Sequence, residues 1–238
     1  MVRKVITFVV SAVTVGCAAQ QPWSFNPSDF YNVKELPYDS PPQVIYRIDD
    51  HRFVTLERYR DCNHGEAYYN DTLGGIRSPF RRGTVENFQG RIVNADPTGR
   101  NLVFPSSKLP ETICGDRGCT VTVAYSTDGG RSFHSMVYMR YSFKPCRDSR
   151  DYTFTATKDA VYITRKLGET TSRTSTDRYP MVPGFTYGDK PNLPDGSRIQ
   201  FDAKVPAGLS TPSGQDRISC DASIKPTNPD VPLVNERQ

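Results

Sequence analysis

The stretch from Thr120 to Tyr141 leaves the chain few choices. Thr120-Val121-Thr122-Val123-Ala124-Tyr125 alternates β-branched residues, Ser126 to Arg131 is turn chemistry, and Ser132 to Tyr141 leads out with alternation of its own. A period of two sends successive side chains to opposite faces, so two such runs about one turn predict an antiparallel hairpin. The turn, Ser126-Thr127-Asp128-Gly129-Gly130-Arg131-Ser132-Phe133, fits the Asp-box pattern S-x-D-x-G-x-[ST]-[FW] at every specified position. In that pattern the Asp128 side chain caps backbone amides, Gly130 takes a conformation hostile to a Cβ, and Phe133 packs beneath the turn.

The same signals recur along the chain. Val44–Ile48 and His51–Tyr59 flank Asp49-Asp50 and predict a first hairpin. Gly90–Ala95 and Asn101–Phe104 flank the turn tetrad Asp96-Pro97-Thr98-Gly99, and Tyr152–Thr157 and Ala160–Arg165 flank Lys158-Asp159. Residues 60–84 have loop character. After about residue 167 the pattern fades, leaving 185–187, 197–203 and 217–220 as short edge strands. No stretch sustains helical periodicity. The expectation is a mainly β fold with little helix: antiparallel β-hairpins forming a sandwich or propeller-like sheet assembly. The 238 residues suit one β-rich domain or two small ones, with the domain over 44–225, a Pro-rich tether over 17–43 and a disordered tail over 226–238.

The N-terminus predicts export. Arg3 and Lys4 precede an apolar run from Val5 to Val15, shorter than the ~20 residues a bilayer span needs but suited to a secretory signal. Val15-Gly16-Cys17 resembles a bacterial lipobox, which makes 1–16 the signal peptide and Cys17 the lipidated residue; Thr14 departs from the usual aliphatic there. The alternative is an ordinary secreted protein cut after Ala18 or Ala19. Formal charge is +4, and loss of Arg3 and Lys4 leaves +2, too near neutral to support nucleic-acid binding. Either cleavage leaves five cysteines in the domain, Cys62, Cys114, Cys119, Cys146 and Cys220. An oxidising compartment pairs such cysteines, and an odd count leaves one thiol over. Cys114 and Cys119 enclose a Gly-Asp-Arg-Gly loop that lets them meet, although each can equally face a distant partner.

Metal and catalytic chemistry find little support. No C-x-x-C occurs, and His51, His64 and His134 are scattered, so neither a metal nor a cofactor is expected. No G-x-S-x-G is present. Cys62 and His64 lie two apart, but without an orienting third group they read as a disulfide cysteine beside a loop histidine. The densest charge is Arg77, Arg81 and Arg82 around Ser78-Pro79-Phe80, with Tyr68 and Tyr69 nearby. That is either a solvated loop or a partner contact, since Arg and aromatic residues are the composition favoured in binding hot spots.

Asp boxes are found in sialidases and other propellers, where they are structural; this leaves an exported carbohydrate-binding or sialidase-like protein as the alternative function. The wider pattern points elsewhere. The lipobox-like Cys17, His51-Arg52-Phe53-Val54-Thr55-Leu56-Glu57, Cys62, Tyr68-Tyr69-Asn70-Asp71, Gly75-Ile76-Arg77 and the strand from Cys119 into Asp128–Phe133 together resemble periplasmic immunity lipoproteins of type VI secretion systems, over about residues 44–166. The resemblance implies a non-enzymatic protein that binds and blocks a phospholipase-type effector delivered by sibling cells. It implies a periplasm-facing location, held to the membrane by the N-terminal lipid, and Ala18 after Cys17 favours the outer membrane.

Overall fold

A computed structural model describes residues 38–80, 84–168, 172–188 and 192–230. The expected signal peptide, Cys17, most of the expected tether, Arg81, Arg82 and the last eight residues lie outside them.

Eleven strands form three sheets, and the mainly β expectation holds, with a single four-residue α-helix among the described residues, α1 (Pro145–Asp148). The first sheet is a meander of β1 (Gln43–Arg47), β2 (Arg52–Asp61), β3 (His64–Asp71) and β4 (Ile76–Pro79). The second holds β5 (Arg91–Asn94), β9 (Tyr152–Ala156), β10 (Ala160–Lys166) and β11 (Thr174–Pro180) in the order β11-β10-β9-β5. The third holds β6 (Leu102–Pro105), β7 (Cys119–Ser126) and β8 (His134–Ser142).

Residues 60–84 are not one loop: His64–Asp71 and Ile76–Pro79 within them build β3 and β4, which pair Tyr68 with Pro79 and Asn70 with Arg77. Their polar, glycine-rich letters conceal short strands whose alternation is Ala67 and Tyr69 inward, Glu66 and Asn70 outward. The expected hairpin about Asp96–Gly99 does not form either. The turn is present, with Gly99 N–H donating to the Asp96 carbonyl at 3.0 Å. Its two strands nevertheless enter different sheets, β5 pairing in parallel with β9 and β6 antiparallel with β7. The buried Asn94 side chain spans the gap, accepting from Val103 N–H at 2.8 Å and donating to the Val103 carbonyl at 3.1 Å. One side-chain amide thus satisfies both backbone groups of a residue that a ladder would otherwise pair.

The three sheets share one apolar core. Ile45, Tyr46, Val54, Leu56 and Tyr69 come to it from the first sheet, Ile92, Phe154 and Val161 from the second, and Phe104, Val123 and Tyr125 from the third. Packing starts ahead of the first strand, since Tyr38 and Ser40 are both buried.

The C-terminal third is mostly irregular. Residues 185–187, 197–203 and 217–220 form no strands; what occurs is one isolated bridge, Arg178 to Gln200, on the edge of β11. Residues 211–221 instead run as a strap over the open edges of β1 and β5. Ser213 N–H donates to the Ile48 carbonyl, Ser219 N–H to the Ile45 carbonyl and Ile92 N–H to the Asp216 carbonyl, each at 2.8 Å. Thr211 Oγ1 lies 3.0 Å from the buried Tyr46 hydroxyl, and a disulfide joins Cys220 to Cys62 in the β2–β3 turn. Further on, Thr227 N–H donates to Asp39 at 2.7 Å.

Candidate functional site

The Asp-box turn forms between β7 and β8 and ties the sheets together. Ser126 Oγ accepts the amides of Asp128 and Gly130 at 3.2 and 2.9 Å. Asp128 in turn accepts from Ser132 N–H at 3.0 Å and from the Ser132 hydroxyl at 2.6 Å. The capping expected of Asp128 is therefore shared with Ser126. Burial raises the Asp128 pKa, but hydrogen bonds from Ser132 and Ser126 outweigh it and leave the carboxyl below its ordinary value. Gly130 has φ +88° and gives its carbonyl to the Ser78 hydroxyl of β4 at 2.8 Å. The Ser126, Asp128 and Ser132 side chains are spent on the turn and the Gly130 carbonyl on β4, which is a structural role.

Phe133 packs beneath the turn. Its ring lies 5.7 Å from Tyr69, 5.2 Å from Phe80 and 5.8 Å from Phe104. Two of the expected partner contacts therefore belong to the interior: Tyr69 is fully buried, and Phe80 packs on the core's edge. Adjacent residues on a strand point to opposite faces, so Tyr68 faces out where Tyr69 faces in.

Tyr68 centres the outward face of the first sheet. The Arg77 guanidinium lies 3.8 Å above its ring and that of Arg58 5.6 Å from it. The Tyr68 hydroxyl donates to Glu66 at 2.6 Å and receives a hydrogen bond from Arg58, which also binds Glu66 at 2.5 Å. Arg77 reaches Glu57 at 2.6 Å, and Glu57 is held from behind by the Thr55 hydroxyl at 2.7 Å. Burial and the neighbouring Glu66 carboxylate raise the Tyr68 pKa, so the ring is neutral and available to the cations. Sequence reasoning missed these three partners: Glu66 falls where a loop was expected, and Glu57 and Arg58 lie in the expected strand His51–Tyr59 but meet Tyr68 and Arg77 only through the pairing of β2 with β3 and β4. The result is a flat, pre-set patch of charge around an aromatic ring, with Arg77 the most exposed member of its ion pairs at 48%.

Between β4 and the third sheet lies a cleft of about 380 Å³, floored by Phe80, Phe133 and Val85 and edged by Arg131 and His134. A second polar cluster sits at the β2–β3 turn. His64 Nδ1 and Nε2 lie 2.7 Å from Asp61 and from Glu111 respectively. Both ring nitrogens are occupied by carboxylates and Cys62 is tied up in its bridge to Cys220, so the Cys62–His64 pair holds no nucleophile. Cys114 bridges Cys119, and Cys146 is the free thiol, its pKa pushed up by burial. No group of three or more metal-binding side chains occurs among the described residues.

No curated protein matches the chain. A family model described as T6SS Tli3 immunity protein does, over residues 38–165. That span runs from the buried Tyr38 ahead of β1 through nearly all of β10, and so takes in the third sheet whole, the first sheet whole and the Asp box. The family is one of immunity proteins, not enzymes, whose members act by binding a type VI secretion effector; more than half of this chain answers to it, and the chain belongs to the T6SS Tli3 immunity protein family.

Proposed function

We propose that this immunity protein is a periplasm-facing lipoprotein that neutralises a phospholipase-type effector by covering its active site or lipid entry. The family match over 38–165 carries the reading. The leader ending at Cys17 supports export and a lipid anchor, which places an inhibitor on the surface where a phospholipase acts and raises its effective concentration there. The outer membrane is the favoured site, from Ala18 after Cys17.

The patch around Tyr68 supports a contact role. Its cations are stacked on a ring and braced by carboxylates, so little side-chain entropy is left to lose on binding. The sialidase-like alternative has no comparable support, because the Asp box is fully engaged in holding the turn and the inter-sheet contact.

The test is co-expression of the protein with a periplasm-directed phospholipase effector from a type VI secretion system. Survival with the immunity gene, and a copurifying complex, support the reading. Equal killing with and without it, and no complex, reject it. Labelling with a radioactive fatty acid checks the anchor separately, since Cys17→Ser abolishes label only if Cys17 carries the lipid.

A further inference from the structure

The far end of the third sheet exposes three large apolar side chains. Ile113 is 95% exposed, Tyr141 70% and Phe143 61%. They are neighbours. Ile113 precedes Cys114, which is bridged to Cys119; Cys119 pairs across the ladder with Ser142, and Ser142 sits between Tyr141 and Phe143.

The backbone turns Tyr141 outward. On β8 Met139 is buried, and regular alternation from it would carry Tyr141 to the buried face. The register breaks there instead: Val121 pairs with Met139 and Cys119 with Ser142, so Arg140 and Tyr141 together oppose Thr120. This is a bulge, a device that re-aims a side chain. Tyr141 has φ +60°, a left-handed conformation that is costly for a bulky residue. Gly118 fits against that backbone so closely that a Cβ would come 2.6 Å from the Tyr141 carbonyl carbon. Strain of this kind without burial of the ring in return calls for an external partner.

Charge narrows the partner. Arg140 and Lys144 flank the aromatic pair, and Arg117 sits in the bridged loop. All three are exposed, and none makes an ion pair among the described residues. The cleft beside Phe133 includes none of these residues. A protruding tip of Ile, Tyr and Phe interleaved with Arg and Lys matches the layered chemistry of a bilayer surface, where aromatic rings settle at headgroup depth and cations meet anionic lipid.

We propose that the Cys114–Cys119 end of the third sheet docks on anionic phospholipid, a membrane contact separate from any lipid on Cys17. Flotation with vesicles of phosphatidylcholine alone, or mixed with phosphatidylglycerol, tests it on the full chain with both bridges oxidised. Every arm carries Cys17→Ser, so failure of the lipid-anchor reading leaves this test untouched. Binding is expected to be about tenfold tighter to the phosphatidylglycerol vesicles at low salt, with the gap closing at high salt. Arg140→Gln with Lys144→Gln removes that preference, and Tyr141→Ser with Phe143→Ser lowers binding to both vesicles. Ile113→Ser, at a side chain that packs on almost nothing, lowers binding without altering the melting temperature. Protein carrying Cys17→Ser alone with no phosphatidylglycerol preference overturns the proposal, as do tip variants that float like that parent. If those same variants float normally yet lose effector binding, the tip is a protein contact instead and the lipid proposal fails.

Discussion

Gly130 of the Asp box rests directly on the ring of Tyr69: a Cβ at that position would come 2.1 Å from Tyr69 Cε1. Tyr69 belongs to the first sheet and Gly130 to the turn that joins β7 and β8 of the third, so the turn's fit is also the fit between two sheets. Gly130→Ala adds a methyl where neither the φ of +88° nor the buried ring can yield. A loss of about 2–3 kcal/mol is expected, the scale of an overpacked core position. Urea denaturation measures it, and Gly115→Ala, where nothing lies within reach of the added methyl, serves as the control.

Asp128 gives the turn an acid limit. Its folded pKa lies below the ordinary carboxylate value, so the folded state favours the ionised form more than the unfolded chain does. The stabilisation is complete above the unfolded pKa and is lost as pH falls through the folded one. Asp128→Asn is expected to be less stable at neutral pH and to show a flatter decline in melting temperature on the acid side. An unchanged acid limb in the variant would show that the carboxylate's hydrogen bonds contribute nothing.

Glu86 acts in the opposite sense. It is buried in the short 3₁₀ turn Val85–Asn87, its Oε1 has no hydrogen-bond partner among the described residues, and burial raises its pKa to about 8. The folded state holds a proton that the unfolded chain releases near pH 4.5. Stability from this group is therefore intact below that value and falls as pH rises towards about 8. Glu86→Gln removes the slope, and at pH 7 the variant is expected to gain up to about 3 kcal/mol. Denaturation at a series of pH values reads the difference.

The two disulfides differ in weight. Cys62–Cys220 closes a separation of 158 residues and Cys114–Cys119 one of 5. Chain entropy in the unfolded state assigns about 5 kcal/mol to the first and about 2 to the second. Cys62→Ser with Cys220→Ser is expected to lower the urea midpoint markedly, and Cys114→Ser with Cys119→Ser much less. Peptide mapping of the oxidised protein, which should return these two bridges and a free Cys146, checks the pairing itself.

At the Tyr68 patch, Arg77→Ala removes a partly exposed cation and its stacking on the ring. Protection against the effector is expected to fall by at least about tenfold in dose, in keeping with an interface anchor, while stability changes by under about 1 kcal/mol. Competition between sibling strains measures the first and thermal melts the second. Retained protection would move the contact surface elsewhere.

Much of the fold is legible in the letters. The Asp box is spelled out at each position and forms as spelled, and the first and last hairpins follow from alternation about Asp49-Asp50 and Lys158-Asp159. What escapes the sequence is long-range. Nothing local distinguishes β5, whose partner β9 lies some sixty residues on, from a strand that turns back on itself at Asp96. β11 has Thr, Ser, Asp and Arg where an apolar alternation would announce a strand, because only Thr176 and Pro180 of its seven residues are buried. The Tyr68-Tyr69 pair looks like a single aromatic cluster in the sequence, and only strand register sends one ring to the outward face, where Arg58 and Arg77 cover it and leave it 9% exposed, and its neighbour to the core.

The strap that closes the molecule is made after every strand that it covers. β1 begins at Gln43, but its open edge is covered by Ser213 and Ser219, and the covalent lock waits for Cys220. A chain emerging residue by residue can therefore assemble its hairpins early and yet carry an unprotected strand edge until Cys220 is available. Completion is a single late event. Any interruption of synthesis or passage before the strap arrives leaves a chain with three sheets and an exposed seam, a form suited to sticking to its own copies and not to guarding a cell.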